Sequence, residues 1–213
     1  MTYSVRETFY TLQGEGAQSG KAAVFLRFTG CNLWSGRESD RQKGPGGCSR
    51  WCDTNFVGID GEGGGRFDSA GALADHVQSI WNGGPENRMV VCTGGEPMLQ
   101  LDPGLVEELH TRGFRVAIET NGTIPVPANV DWICVSPKVG GHLVVREGNE
   151  LKLVFPQIGA EPEIFAGLRF DHLFLQPMDG LERAANTARA VEYCKRNPRW
   201  RLSMQSHKYL GIP

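Results

Sequence analysis

Short apolar runs alternate with amphipathic stretches along most of the chain. Residues Ala22-Ala23-Val24-Phe25-Leu26-Arg27-Phe28 read as a first buried strand, Met89-Val90-Val91-Cys92 as a second and Phe114 to Ile118 as a third. The runs Trp132 to Val135, Leu151 to Phe155, His172 to Leu175 and Trp200 to Met204 continue the series. Between them Leu73, Val77, Ile80 and Trp81 recur at helical spacing behind Asp68, an N-cap candidate. Asp102-Pro103 opens a second helix that turns Val106 and Leu109 inward and stops at Gly113, and a third is expected from about Leu181 to Arg196. Thr11 to Gly16 reads as a polar turn. Strands this apolar have no wet face, and their partial alternation with helices predicts a mainly parallel α/β sheet covered by helices.

One segment breaks the pattern. From about residue 30 to 66 the chain is rich in Gly, Arg, Ser and Asp, and it holds Cys31, Cys48 and Cys52. Structural cysteines usually sit among apolar neighbours, so three thiols in one polar loop point to a shared ligand. Zinc in a closed site wants four ligands, and this loop has no histidine. Three thiolates suit a four-iron cluster with one iron left open. Both metals remain open on the residues alone. Cys92 and Cys134 lie in apolar runs and Cys194 in a helix, so these read as small core residues. His76, His110, His142 and His172 read as surface or internally satisfied side chains.

The segments that follow the strands carry the polar chemistry. They are Thr29-Gly30-Cys31, Thr93-Gly94-Gly95-Glu96-Pro97, Glu119-Thr120-Asn121-Gly122, Ser136-Pro137-Lys138, Gln176-Pro177-Met178-Asp179 and Gln205-Ser206-His207-Lys208. In a parallel sheet or barrel such ends share one face, where ligands bind. Ordinary turn chemistry would explain any one of them, but not all together.

Composition narrows the partners. With 22 basic and 24 acidic residues the net charge is -2, which gives no bulk attraction to nucleic acid or anionic lipid. A small-molecule partner is expected. The N-terminal stretch MTYSVRETFY lacks an apolar signal region, and no apolar run approaches the ~20 residues of a membrane span. A cytoplasmic protein with reduced cysteines is the expectation, and 213 residues suit one large domain or two small ones.

A strand ending in a cysteine loop, then TGGEP, ETNG and SPK, resembles the radical S-adenosylmethionine (SAM) enzymes. Within that superfamily, the opening YTLQGEG, the long first cysteine gap, CDTNF and the closing HKYLGIP are similar to the 7-carboxy-7-deazaguanine synthases, across essentially the whole chain. Sixteen residues separate Cys31 from Cys48 and three separate Cys48 from Cys52, the second gap being one longer than the family's tight turn. The resemblance implies an incomplete parallel (β/α) barrel in one domain, residues 1–213, with a long cluster-binding loop. It implies a carbon–nitrogen lyase of queuosine and 7-deazapurine biosynthesis, which turns 6-carboxy-5,6,7,8-tetrahydropterin into 7-carboxy-7-deazaguanine with loss of ammonia. The radical that starts the reaction comes from SAM cleaved at a [4Fe-4S] cluster.

The same resemblance places the roles. Cys31, Cys48 and Cys52 would hold the cluster. Gly94, Gly95, Glu96, Glu119, Ser136, Pro137, Lys138, Gln176, Pro177, Met178 and Asp179 would meet SAM. Thr54 would bind Mg²⁺, the bland alternative being a turn hydroxyl. Leu12, Gln13, Gly14, Glu15, Arg27, Thr93, His207 and the α-carboxylate of Pro213 would meet the pterin. Arg27 suits its carboxylate by a bidentate pair, or else forms a structural ion pair. Glu15 is otherwise a solvated loop charge, and Ser206 to Pro213 otherwise a tail packed for stability. An electron donor such as flavodoxin, and a homodimer, are also implied. Two rival readings stand beside this one: a glycyl-radical activase acting on a protein, and a non-catalytic metal-binding protein.

Overall fold

The computed structural model describes residues 1–43 and 47–213. Among the described residues nine strands form one sheet: β1 (Tyr3–Leu12), β2 (Ala22–Phe28), β3 (Gly65–Phe67), β4 (Met89–Gly94), β5 (Arg115–Thr120), β6 (Trp132–Val135), β7 (Glu147–Phe155), β8 (Arg169–Pro177) and β9 (Trp200–Leu202). Their order across the sheet is β3-β1-β2-β4-β5-β6-β7-β8-β9. From β2 to β9 all pairings are parallel, while β1 runs antiparallel to both β2 and β3. The edges β3 and β9 do not pair, so the sheet is an open barrel of the expected kind.

The helices are α1 (Ala70–Ile80), α2 (Pro103–Thr111), α3 (Pro162–Phe165), α4 (Arg183–Arg196) and α5 (Ser206–Leu210). The expected helices are present, with shifted ends. The cap of α1 is Ser69, whose hydroxyl accepts from Ala72 N at 3.1 Å, rather than Asp68. A cap of this kind contributes about 1 kcal/mol. Asp102 caps α2 as expected, accepting from Leu105 N at 2.9 Å, and also accepts from the Tyr3 hydroxyl at 2.8 Å, which fastens β1 to that helix.

Five elements differ from expectation, and one of them, α3, was not among the expected helices. The N-terminal ten-residue β1 was not predicted, although Tyr3 and Val5 alternate with polar neighbours; a register shift between Val5 and Glu7 breaks the period. Strand β3 lies inside the stretch read as loop, and the chain's end, given no element beforehand, contains the short helix α5. The last strand stops at Leu202, two residues before Met204.

Strand alternation divides the core. Val24, Leu26 and Phe28 point outward into a cluster with Leu73, Val77, Leu105 and Leu109 of α1 and α2, whereas Ala23 packs with Met89, Val91 and Ala117 on the other, concave face. A second outer cluster joins Leu151, Leu153, Leu173 and Leu175 to Phe165 of α3 and Ala190 of α4. The helices therefore cover one face and leave the concave face for polar groups.

The β1–β2 connection turns back across that concave face. Gly16 N donates to Ser203 Oγ at 2.9 Å and Ala17 N to Glu150 Oε2 at 2.8 Å, joining the turn to β7 and to the end of β9. Gly16 has φ 64°, and a Cβ there would lie 2.5 Å from the Glu150 carboxylate, so glycine is required on both counts.

Candidate active site

A cavity of about 490 Å³ lies on the concave face at the C-terminal ends of the parallel strands. Cys31, Cys48 and Cys52 line it together with Thr54, Gly94, Gly95, Glu119, Ser136, Lys138 and Gln176. So do all eight residues expected to meet the pterin: Leu12, Gln13, Gly14, Glu15, Arg27, Thr93, His207 and Pro213. Segments 200 residues apart thus meet at one place.

Five expected SAM contacts are not among the lining residues: Glu96, Pro137, Pro177, Met178 and Asp179. Glu96 is fully buried and turned into the protein. Its Oε1 accepts from Met98 N at 3.0 Å and Thr120 Oγ1 at 2.7 Å, and its Oε2 accepts from Asn121 N at 2.8 Å. The Pro137 carbonyl accepts from Gln157 Nε2 at 3.3 Å, and the Met178 carbonyl from Asn186 Nδ2 at 3.0 Å. Pro177 ends β8 on the flank facing Tyr209 and Arg183. Asp179 accepts from Lys208 Nζ at 2.7 Å.

The cysteine loop is fastened to the strand ends by polar clasps. Asn121 Nδ2 donates to Asn32 Oδ1 at 2.9 Å, Asn32 Nδ2 to Thr123 Oγ1 at 2.7 Å, and Thr123 Oγ1 to Asn121 Oδ1 at 2.6 Å. Gly95 fits beneath the loop: a Cβ would lie 2.2 Å from Gly30 O and 2.7 Å from Cys31 Cβ. Arg41 Nη1 holds the far side through Ser49 O at 2.6 Å and Cys52 O at 3.1 Å. Burial raises the Cys31 thiol and pushes Cys48 up to about 11, against the opposing pull of Lys138, so a metal bound by these thiols would have to displace protons. Among the described residues no three His, Cys, Asp or Glu side chains converge closely enough for a single ion. All three thiols line the cavity, and a donor set of three cysteines is one that suits a four-iron cluster with one iron left open. Leu33 N donates to Cys31 Sγ at 3.4 Å, the kind of N–H···S contact that tunes such clusters.

Opposite the cysteines stands a charged layer. Lys152 Nζ donates to Glu15 Oε2 at 2.5 Å and to Glu119 Oε1 at 2.9 Å, and its side chain is 5% exposed. Burial would raise Glu15, but the Lys152 ammonium and the Gln205 amide, which donates to Glu15 Oε1 at 3.0 Å, hold it at about 2. Burial would lower Lys152, and the two carboxylates raise it well above the ordinary lysine value. Gln13 Nε2 also donates to Glu119 Oε1, at 3.2 Å. Arg27 Nε donates to Glu7 Oε1 at 2.7 Å, which leaves its terminal nitrogens for a second anion. Beside this pair, Phe9 and Phe25 stack at 5.6 Å and 8°.

The chain end closes the remaining side. Ser206 N and Oγ both donate to Gly14 O, at 3.0 and 2.9 Å, and Thr11 Oγ1 donates to Pro213 O at 2.9 Å. Lys208 Nζ bridges Asp53 of the cysteine loop and Asp179, each at 2.7 Å. Of the lining residues that sequence reasoning missed, Glu7 and Phe9 went with the unseen β1. Lys152 had a visible signal, as a lone charge in the apolar run Leu151 to Phe155 that parallels Arg27 in its own run.

An open, mostly parallel sheet whose strand ends meet a three-cysteine loop over one cavity is the architecture of the radical SAM enzymes. The crystal structure of QueE from Escherichia coli matches with a TM-score of 0.71 at 30% identity, covering 96% of this chain and 94% of that one. A 7-carboxy-7-deazaguanine synthase of Bordetella pertussis is 62% identical over 213 residues, and one of Caulobacter vibrioides 63%, each alignment covering 100% of both chains. No protein-family model matches. At such identity over full length, the chain belongs to the 7-carboxy-7-deazaguanine synthase family.

Proposed function

We propose that this chain converts 6-carboxy-5,6,7,8-tetrahydropterin to 7-carboxy-7-deazaguanine with loss of ammonia, as a radical SAM lyase of 7-deazapurine biosynthesis. The observation that carries the reading is that the cysteine loop and the QGE turn line one cavity. When bound, a [4Fe-4S] cluster and SAM supply the radical chemistry by one-electron cleavage of SAM.

The protein's part is to hold and orient. Cys31, Cys48 and Cys52 hold the cluster. Gly94 and Gly95 bring bare backbone to the SAM amino group, where a side chain would block approach. Glu119, Ser136, Lys138 and Gln176 receive its ribose and adenine. Glu96, buried beneath that loop, acts by fixing its shape, and Pro137, Pro177, Met178 and Asp179 support from behind. On the other side, Arg27 pairs with the pterin carboxylate, while Glu15, Gln13 and Thr93 face its amino and ring N–H groups. Leu12, Gly14, His207 and Pro213 complete that wall. Thr54 offers a hard oxygen to Mg²⁺, which a bound anionic substrate would help hold. One domain over residues 1–213, a one-electron donor such as flavodoxin and a homodimer complete the reading. No helix among the described residues is long and apolar enough to cross a membrane.

The test is anaerobic turnover of the cluster-loaded protein with the carboxypterin, SAM and a reductant. The expected result is 7-carboxy-7-deazaguanine and one ammonia per turnover, with the rate raised by Mg²⁺ and lowered by a chelator. Reductive SAM cleavage that leaves the carboxypterin unchanged would refute the substrate, and a chelator-insensitive rate would remove Thr54 from the metal role.

A further inference from the structure

Lys152 has no part in the roles set out so far, yet it stands between the two ligand sites. It rises from the middle of β7 with Nζ bound to Glu15 on the pterin side and to Glu119 on the SAM side. Each carboxylate has a second tether: Gln205 on Glu15, Gln13 on Glu119. Thr93 Oγ1 is 3.5 Å from Glu119 Oε2. We infer that Lys152 is a positioning residue that joins the two ligand sites, holding Glu15 and Glu119 aimed into one cavity as a pair of acceptors for the pterin and for SAM.

The physical reason is charge. Two carboxylates bound to the same nitrogen are too close to stay ionised together in a buried site without a cation between them. The other charged or titratable groups facing Lys152 do not replace it. Glu150 on β7 adds negative charge, and Cys134 on β6 is a buried thiol raised well above its ordinary value. Lys138, beyond β6, donates to Ser136 O and Oγ at 2.7 and 2.5 Å. His207 of α5 faces Glu15. Arg27 donates its Nε to Glu7 rather than to Glu15 or Glu119. Without Lys152, Glu15 and Glu119 would both lose their shared partner and repel each other, one taking up a proton and the other swinging from its place, so each site would lose an aimed acceptor for a ligand N–H or O–H. A contact made to one ligand alone would fail on that side only; a shared counter-ion fails on both.

The inference rests on the proposed substrate, and the experiment separates the two. Lys152→Met, close in length and uncharged, is compared with wild type as cluster-loaded protein without reductant, so that nothing turns over. Binding of SAM and of the carboxypterin is measured separately by equilibrium dialysis. Both affinities are expected to fall at least tenfold with iron content and far-UV circular dichroism unchanged. Adding Glu119→Gln removes the facing like charge, and is expected to return carboxypterin affinity to within about threefold of the Glu119→Gln single variant, while SAM affinity stays low. Loss on one side only, no loss, or no recovery in the double variant overturns the inference. Should Lys152→Met fail to fold, the double variant is expected to fold and to bind carboxypterin, and its failing alike also overturns the inference. Wild-type protein that binds SAM but no carboxypterin would instead count against the proposed function.

Discussion

Replacing Glu96 tests whether the glycine-rich loop after β4 is held by a buried carboxylate rather than by contact with a ligand. Glu96→Ala removes the acceptor for two backbone N–H groups, Met98 and Asn121, and for the Thr120 hydroxyl, all inside the protein. A buried donor left without a partner costs about 1–3 kcal/mol. Three of them set an upper range, and two effects reduce it. The variant no longer buries a carboxylate, whose desolvation is large enough to raise its pKa against all three hydrogen bonds, and water can enter the space vacated. A net loss of about 3 kcal/mol results, a large share of the roughly 5–15 kcal/mol that holds most domains together. For a chain of this size that is about 6–12 °C in Tm. The effect should also reach the cluster, because Asn121 carries the clasp to Asn32 beside Cys31. Anaerobic urea unfolding followed by circular dichroism gives the stability, with m unchanged, and iron analysis gives the second readout. Glu96→Gln should lose about 2 kcal/mol, since its amide N–H₂ faces at least one donor. A loss below about 1 kcal/mol for Glu96→Ala, with SAM affinity strongly reduced, would refute this account and return Glu96 to direct contact with the ligand.

Three further outcomes are expected. Ala at Cys31, Cys48 or Cys52 should abolish iron retention, whereas Ala at Cys92, which burial pushes up to about 12, or at Cys194 should leave it intact by iron analysis. Gly95→Ala should lower SAM affinity at least tenfold in a binding assay and displace Cys31, since the new Cβ meets the Gly30 carbonyl, a backbone group with nowhere to go. Glu15, held at about 2 against 4.5 when unfolded, contributes stability that is present above pH 4.5 and is lost as pH falls toward 2; in acid unfolding that contribution, at most about 3 kcal/mol, should vanish in Glu15→Gln. Lys152, shifted upward, loses its contribution only in strong alkali and does not blur that window.

Much of this architecture was legible because apolar runs and caps act locally. The parallel strands, α1, α2 and α4 follow from buried strands separated by capped amphipathic helices, and the polar strand ends share a face because parallel strands must. The misses have physical causes. Strand β1 carries a bulge and is half exposed, so its alternation fades where Arg6 and Glu7 follow one another. The helix α5 is five residues long and held by Gly14 and by Lys208 contacts from 155 and 29 residues away, so nothing local announces it. Glu96 shows the limit for site residues. A glutamate after two glycines at a strand end reads the same whether it faces a ligand or caps Met98, Thr120 and Asn121, because the difference lies in the orientation of one side chain.

How an unclosed sheet encloses a cavity is answered by the β1–β2 turn. A full barrel closes by pairing its first and last strands; here the edges stay apart, and the gap is spanned by backbone N–H groups of Gly16 and Ala17 reaching Ser203 and Glu150. The residues just before them, Gln13 and Glu15, reach Glu119 and Lys152. Closure and pocket wall are therefore made by one short segment, with the structural contacts on its backbone and the polar cavity contacts on its side chains. That division leaves the side chains of Gln13 and Glu15 free to change ligand chemistry while the backbone keeps the barrel shut. It also explains why glycine stands at 14 and 16: a side chain at either would strike His207 or Glu150, the partners that the turn must approach.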